Sequence, residues 1–314
     1  MYDVIIIGSG PGGLTAGLYA GRAGLKTLIL DKKVCGGTVN TSPLIENYPG
    51  IDNITGMQLT KNMALQTKKY AEILEYTKVK KITGNVDNFK IECDNEVYES
   101  KYVVIATGTT EKTLDAEGIE EFSGRGVSYC AVCDGNFFTG QDVVVVGGGN
   151  SAAVEALYLN RIGVNCSMIH RRDKLRCDAK LQEDLKKNNV NIYWNSQVKR
   201  VNGTDRVESV TITDDNEEEK TIDVSGIFVA IGTEPNNKVA IESDIKCDAA
   251  GYIEVDENMQ TQTEGIYAVG DVTGGVKQII VASGQAAIAI TDIQYKLMWT
   301  WNLIWLWHQN YLKK

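Results

Sequence analysis

The chain has 314 residues, a formal net charge of -9, 43% hydrophobic and 23% charged residues, a size and balance that suit two buried cores and exclude a disordered segment. The acidic balance excludes a binder of nucleic-acid backbone, whose affinity comes from lysines and arginines that neutralise phosphates. Seven cysteines, most of them single, do not make a disulfide framework in a chain this long, and the opening residues lack a basic leader and a small-residue cleavage site, so the expected compartment is the reducing cytoplasm.

The first predicted element is a strand over Tyr2 to Ile7, which runs into Gly8, Ser9, Gly10, Pro11, Gly12 and Gly13. A helical stretch from Leu14 to Gly24 and a second strand, TLILD ending at Asp31, complete the unit. In this G-x-G-x-x-G pattern Gly8 permits a tight turn, Gly10 lets a pyrophosphate approach the backbone and Gly13 allows close helix-sheet packing. The helix N-terminus favours negative charge, and Asp31 stands where ribose hydroxyls would donate to it. The triplet alone also fits a ligand-free strand-helix turn, and it does not separate FAD from NAD. An extended region follows, and then a strand, YVVIATGTT from Tyr102, ending in the turn Thr107-Gly108.

Next comes Cys130-Ala131-Val132-Cys133-Asp134, a C-x-x-C followed at once by an acid. Such a pair closes a disulfide or provides half of a zinc site. Zinc needs two further Cys or His ligands, and the chain has two histidines, His170 and His308, and no second C-x-x-C. A redox dithiol is the reading that remains. Proton delivery to a leaving thiolate would fall to Asp134, the nearest acid in sequence; helix capping is its other role, and the two are compatible.

A second copy of the opening unit begins at Val143, VVVVGGGNSAAVEALYL, with Gly147, Gly149 and Ala152 as G-x-G-x-x-A and Asn150 and Ser151 between them. Its returning strand ends not in an acid but in His170, Arg171 and Arg172, with Arg176 beyond. In a loop elsewhere HRRDKLR would read as a solvated charge run. At this position guanidinium groups would grip a ribose 2′-phosphate that a carboxylate would repel, so NADPH is expected over NADH. A strand-turn from Gly226 follows, with Ile231 and Gly232, and then GIYAVGDV from Gly265, with Gly270 and Asp271, ahead of a helical pattern from about Ala282 to Lys296. The second copy and the GIYAVGDV segment together leave FAD to the first copy. The expected fold is α/β, with two Rossmann-like, three-layer dinucleotide-binding domains. The NADPH domain, 112–234, carries the C-x-x-C and is inserted into a discontinuous FAD domain of 1–111 and 235–314, with crossing segments near Glu111 and Glu234 available as a hinge.

The ordered set GSGPGG, ENYPG, VVIATG, CAVCDG, GGGNSA, HRRDKLR, FVAIG and AVGDV, collinear from Tyr2 to Tyr295, resembles the low-molecular-weight bacterial thioredoxin reductases. The resemblance implies a homodimeric flavoprotein that passes electrons from NADPH through FAD to a Cys130–Cys133 disulfide and on to thioredoxin. By the same resemblance Cys133 lies against the flavin, Cys130 attacks the partner disulfide and Asp134 donates the proton. FAD contacts would extend to Gly37, Thr38, Asn47, Thr107, Gly108, Gly270, Asp271, Lys277, Gln278 and Ile279, those of NADPH to Asn150, Ser151, His170, Ile231 and Gly232, and Phe137 with Phe138 would help dock the partner. Rotation of the NADPH domain would bring dithiol and nicotinamide in turn to one flavin. Two departures stand out. Thr38 replaces the glutamine that usually follows the paired glycines, and Ile279 replaces a small residue after Gln278.

The end, LMWTWNLIWLWHQNYLKK from Leu297, holds four of the five tryptophans. An apolar stretch of about eleven residues is shorter than the ~20 of a membrane span. Packing on a partner subunit and anchoring at a membrane interface are the two readings, and its spacing fits both a helix face and a strand. Set against the reductase are the same machine serving another dithiol carrier or fed by ferredoxin, a route the HRRDKLR cluster disfavours, and a flavin-binding sensor without turnover.

Overall fold

The structure, a computed structural model, describes residues 1–42 and 44–311, with side chains up to Met298. In chain order, strand β1 (Tyr2–Ile7) leads to helix α1 (Pro11–Arg22) and strand β2 (Thr27–Leu30), then to α2 (Gly56–Thr67), β3 (Glu72–Leu74), β4 (Val79–Thr83), β5 (Phe89–Cys93) and β6 (Val97–Ile105). A short β7 (Thr109–Glu111) precedes β8 (Val127–Ser128), α3 (Ala131–Asp134), β9 (Asp142–Val146), α4 (Asn150–Arg161), β10 (Asn165–Ile169), α5 (Ala179–Lys187) and β11 (Asn191–Tyr193). The remainder is β12 (Gln197–Gly203), β13 (Val207–Thr213), β14 (Glu219–Asp223), β15 (Gly226–Val229), β16 (Thr233–Pro235), α6 (Lys238–Glu242), β17 (Ile266–Ala268) and α7 (Ile279–Tyr311).

The chain packs as two units, one of residues 1–41, 48–110 and 234–314, the other of 42–47 and 111–233. It crosses between them within β7 and β16, which pair as a two-stranded ribbon.

In the first unit β3, β2, β1 and β6 run in that order, parallel where they pair, and β17 adds to β6 in parallel. Strands buried on both faces read as unbroken apolar runs, and the last four residues of β1 are fully enclosed. β6 is a composite. Its first half alternates and forms an antiparallel ladder with β5, whereas Tyr102 to Ile105 are continuously buried. One face of the sheet packs on α1 and α7 through Val4, Ile6, Leu14, Ala286 and Ile290; the other carries Ile5, Ile7, Ile91 and Val239.

The second unit has a parallel sheet in the order β11-β10-β9-β15-β8 and an antiparallel meander β12-β13-β14. Alternation along β9 divides its core. Val143 and Val145 pack with Ala131, Ala152 and Ala156 on the helical face, whereas Val144 and Val146 pack with Val201 and Val210 of the meander. Helices α3 and α4 therefore share one face of one sheet.

Several boundaries differ from the sequence expectation. Helix α1 begins at Pro11, whose missing N–H suits the first helical turn. Strand β10 ends at Ile169, before His170. The strand alternative for the tail is corrected: α7 is one helix from Ile279 to Tyr311, since the stripe Ala282, Ala286, Ala289, Ile293 and Leu297 buries one helical face. The readings of the tryptophan contacts lie outside the described residues. Among the described residues no helix is long and apolar enough to cross a membrane.

The turn after β1 is sterically closed at Gly13, where an added Cβ would lie 1.9 Å from the carbonyl oxygen of Gly8. Gly13→Ala is expected to destabilise the first unit by about 2–4 kcal/mol, the range of severe local strain, and thermal unfolding will show it; an unchanged midpoint would mean that the turn relaxes freely.

Candidate active site

The first glycine turn is held by backbone and by one carboxylate. Gly8 has φ +106° and its N–H donates to the Leu30 carbonyl at 2.8 Å. Asp31, at the end of β2, accepts from Ser9 N at 2.6 Å and Ser9 Oγ at 2.5 Å through Oδ2, and from Lys33 N at 2.9 Å through Oδ1. A carboxylate has about four acceptor sites, so Asp31 orders the turn and keeps one acceptor direction open on Oδ1. An added Cβ on Gly10 would meet nothing within 4 Å, and Gly10 caps α1 without a side-chain bond. The space beside Gly10 at the helix N-terminus is open, which fits a pyrophosphate.

Apart from Asn47, the other residues expected at this site come from three segments of the same unit. Gly36 N donates to Ser9 O at 2.9 Å, and a Cβ on Gly37 would lie 3.2 Å from Gly10 Cα, which brings Gly37 against the turn; Thr38 beside it is exposed. Thr107 follows Ala106, which abuts Gly8, and bonds Asn236 in both directions, Oγ1 to the carbonyl at 2.7 Å and carbonyl from Nδ2 at 2.9 Å. Gly108, with φ +67°, accepts Asn236 N at 2.9 Å. An added Cβ on Gly12 would lie 3.5 Å from Val269 and 3.6 Å from Ala282, residues that adjoin Gly270 and Asp271 on one side and, in the first turn of α7, follow Lys277, Gln278 and Ile279 on the other. Burial pushes the Asp271 carboxyl up, and Lys277 offsets this in part. Asn47 belongs to the segment 42–47 that packs with the second unit.

In the second unit the equivalent turn is closed by Gly147 and Ala152, whose Cβ would lie 2.6 Å from a Cβ on Gly147. Gly149 faces open space and caps α4 without a side-chain bond. His170 is turned inward. It is 5% exposed, its ring lies against Gly148 and edge-on to Trp194, and Nε2 stands 2.9 Å from the Lys174 carbonyl. Its place is under the glycine turn as a packing residue, so the exposed basic groups of this run are Arg171, Arg172, Lys174 and Arg176. Arg176 N donates to Gly148 O at 2.7 Å, which folds this loop back onto the turn. The Asn150 side chain is engaged with Asp178, donating to its carboxylate and accepting its N–H, both at 2.9 Å. Ser151 is exposed beside it, and Ile231 and Gly232 follow β15.

Cys130 and Cys133 are joined as a disulfide, with Cα atoms 5.3 Å apart, across the first turn of α3. Cys130 caps that turn, its Sγ accepting Cys133 N at 3.2 Å. Ser128, which sequence reasoning missed, is the hub. Its Oγ accepts Cys130 N at 3.1 Å and donates to Asp134 Oδ2 at 2.6 Å. Asp134 is thus held from β8 rather than capping α3. Burial pushes its pKa up and the Ser128 bond pulls it down, with burial the larger effect. Phe137 is 44% exposed, and the half-buried Phe138 packs edge-on against Phe228 at 5.4 Å. Among the described residues no group of His, Cys, Asp and Glu is arranged to hold a metal ion.

The pattern of the pyridine nucleotide-disulphide oxidoreductases matches residues 2–286. The chain is 38% identical over 299 residues to thioredoxin reductase of Bacillus subtilis, covering 94% of each, and 40% identical over 300 residues to that of Listeria innocua, covering 94% of this chain and 93% of that one. A solved structure of thioredoxin reductase from Streptococcus pyogenes superposes with a TM-score of 0.90 at 39% identity, over 95% of this chain and 98% of that chain.

Because the Ser128 hydroxyl stabilises the Asp134 carboxylate against burial, Ser128→Ala is expected to move that carboxyl's titration further upward. Infrared difference spectroscopy against pH measures it, and a downward shift would contradict the assignment.

Proposed function

The chain belongs to the pyridine nucleotide-disulphide oxidoreductase family, and from that membership we propose that its two glycine turns hold FAD and NADPH and that Cys130 and Cys133 are the working dithiol. It acts as a thioredoxin-disulfide reductase. The observation that carries this reading is the disulfide on α3, packed on the same sheet face as the dinucleotide helix α4, in a chain whose relatives are thioredoxin reductases along almost their whole length.

When bound, the nicotinamide and flavin supply a hydride and a two-electron carrier that can open a disulfide. The chain's own residues do the rest. Gly8, Gly10 and Gly13, with Ser9, Pro11, Gly12, Gly37 and Asp31, hold the FAD pyrophosphate and ribose; Thr107, Gly108, Gly270, Asp271, Lys277, Gln278 and Ile279 complete that site, where Thr38 offers a shorter side chain than the usual glutamine. Gly147, Gly149, Ser151 and Ala152 hold the NADPH pyrophosphate, with Ile231 and Gly232 at its edge. Arg171, Arg172 and Arg176 hold the 2′-phosphate, and His170 and Asn150 shape the pocket wall. In the reduced enzyme the Cys130 thiolate attacks the thioredoxin disulfide, one partner sulfur leaves and takes a proton from Asp134, and Cys133 then displaces the second, which re-forms the Cys130–Cys133 bond. The arginines disfavour ferredoxin as donor, and the dithiol disfavours a sensor without turnover. We extend the reading to a homodimer in the cytoplasm.

Anaerobic NADPH titration of the purified yellow protein, followed by thioredoxin and a disulfide reporter, tests this directly. Wild type is expected to turn over, whereas Cys130→Ser with Cys133→Ser should keep its flavin and lose thioredoxin reduction by at least about a thousandfold, as for removal of a nucleophile; turnover in the double variant would sink the proposal. Replacing Arg171 and Arg172 by alanine should raise KM for NADPH by roughly 10- to 100-fold and leave that for NADH nearly unchanged. Equal losses for both would remove the 2′-phosphate assignment.

A further inference from the structure

Among the described residues, two buried side-chain oxygens have no hydrogen-bond partner, Asp134 Oδ1 and Glu155 Oε2. Both flank the four residues of α3. Asp134 closes that helix, and Glu155, on α4, lies close enough to the backbone N–H of Ala131, the amide of the peptide bond that joins Cys130 to the helix, for that amide to favour its charged form. Glu155 stands on the stripe formed by Ala152, Ala156 and Leu159, whose other members are fully buried. An acid on an apolar stripe needs a reason, because a leucine there would bury more apolar surface without an unmatched oxygen.

The titratable groups that face it are Glu111 and the Cys166 thiol of β10, and neither is a cation. Burial first, and Glu111 second, push the Glu155 pKa up to about 7, against the pull of the Ala131 amide. The carboxyl therefore changes charge in the physiological range, beside the peptide that carries the attacking sulfur.

We propose that Glu155 is a positioning residue of the dithiol, whose ionisation is felt at Cys130 through the shared Ala131 amide and opposes thiolate formation there. This rests on the reading of Cys130 and Cys133 as the working pair. Opening the disulfide with two electrons leaves two sulfurs that together carry up to two negative charges. A neutral Glu155 tolerates that charge; an ionised one repels it and raises the thiol pKa. No bond forms to Glu155, and its proton exchanges with solvent.

The test is the rate of iodoacetamide alkylation at Cys130 in the reduced holoenzyme, followed by mass spectrometry from pH 5 to 10, for wild type, Glu155→Gln and Glu155→Leu. Glutamine keeps an acceptor for the Ala131 N–H and removes the charge; leucine fills the stripe and gives a second charge-free variant should the first fold poorly. Both are expected to move the Cys130 thiolate titration down by about one pH unit, so that alkylation near pH 7.5 rises roughly fivefold. Profiles that superimpose on wild type in either folded variant would overturn the proposal, as would an upward shift. The result is independent of thioredoxin turnover. A wild-type enzyme that fails to reduce thioredoxin, yet shows the shift, would defeat the functional reading and leave the coupling standing.

Discussion

A four-residue helix has no stability of its own, since fixing one turn of backbone costs more entropy than a single hydrogen bond returns. The disulfide on α3 keeps its place because Ala131 is buried with Val143 and Val145 of β9 and with Ala152 and Ala156 of α4, and because Ser128 ties Cys130 N and Asp134 from below. The close approach of α3 to α4 also requires Gly135, where a Cβ would come within 2.8 Å of Leu159. The redox centre is thus built into the core of the unit that carries the second dinucleotide turn. Anything that moved α4 would move the sulfurs with it.

The same packing explains the electrostatics. Burial that fixes α3 also strips water from the acids beside it, and both Asp134 and Glu155 are driven toward their neutral forms. An unmatched buried oxygen costs about 1–3 kcal/mol, a cost that cores avoid unless the group has work to do. Cys166, on the neighbouring strand, is pushed up to about 12 by burial and by Glu155, so it stays a thiol.

What was legible in the sequence follows from which residues report on one environment only. The runs in β1 and β9 are enclosed on both faces, so composition alone identifies them. β6 is harder, because its first half belongs to an antiparallel ladder and its second to the parallel sheet, and no single period covers both. The C-x-x-C and the arginines were legible because local spacing defines them. Ser128 and Glu155 were not, since their roles depend on long-range packing; the available signal for Glu155 was an acid in register with Ala152, Ala156 and Leu159. His170 misled for the reverse reason. It sits in a basic run yet faces inward, because the chain must pass under Gly148 before the arginines emerge.

The two copies of the strand-turn-helix unit show how little of a binding site lies in the turn itself. Each has a buried closing position, at Gly13 or Ala152, an open glycine, at Gly10 or Gly149, and a helix N-terminus without a side-chain cap. They diverge where the second strand ends. In the first, Asp31 folds back onto Ser9 and makes the turn rigid with one acceptor to spare. In the second no carboxylate closes the strand; a buried imidazole supports the turn from beneath, and a backbone bond from Arg176 to Gly148 carries the positive charge to its mouth. In a chain with a net charge of -9, that local reversal of sign is what an anionic 2′-phosphate would recognise, because a screened field reaches only about 10 Å and so is set by its nearest groups.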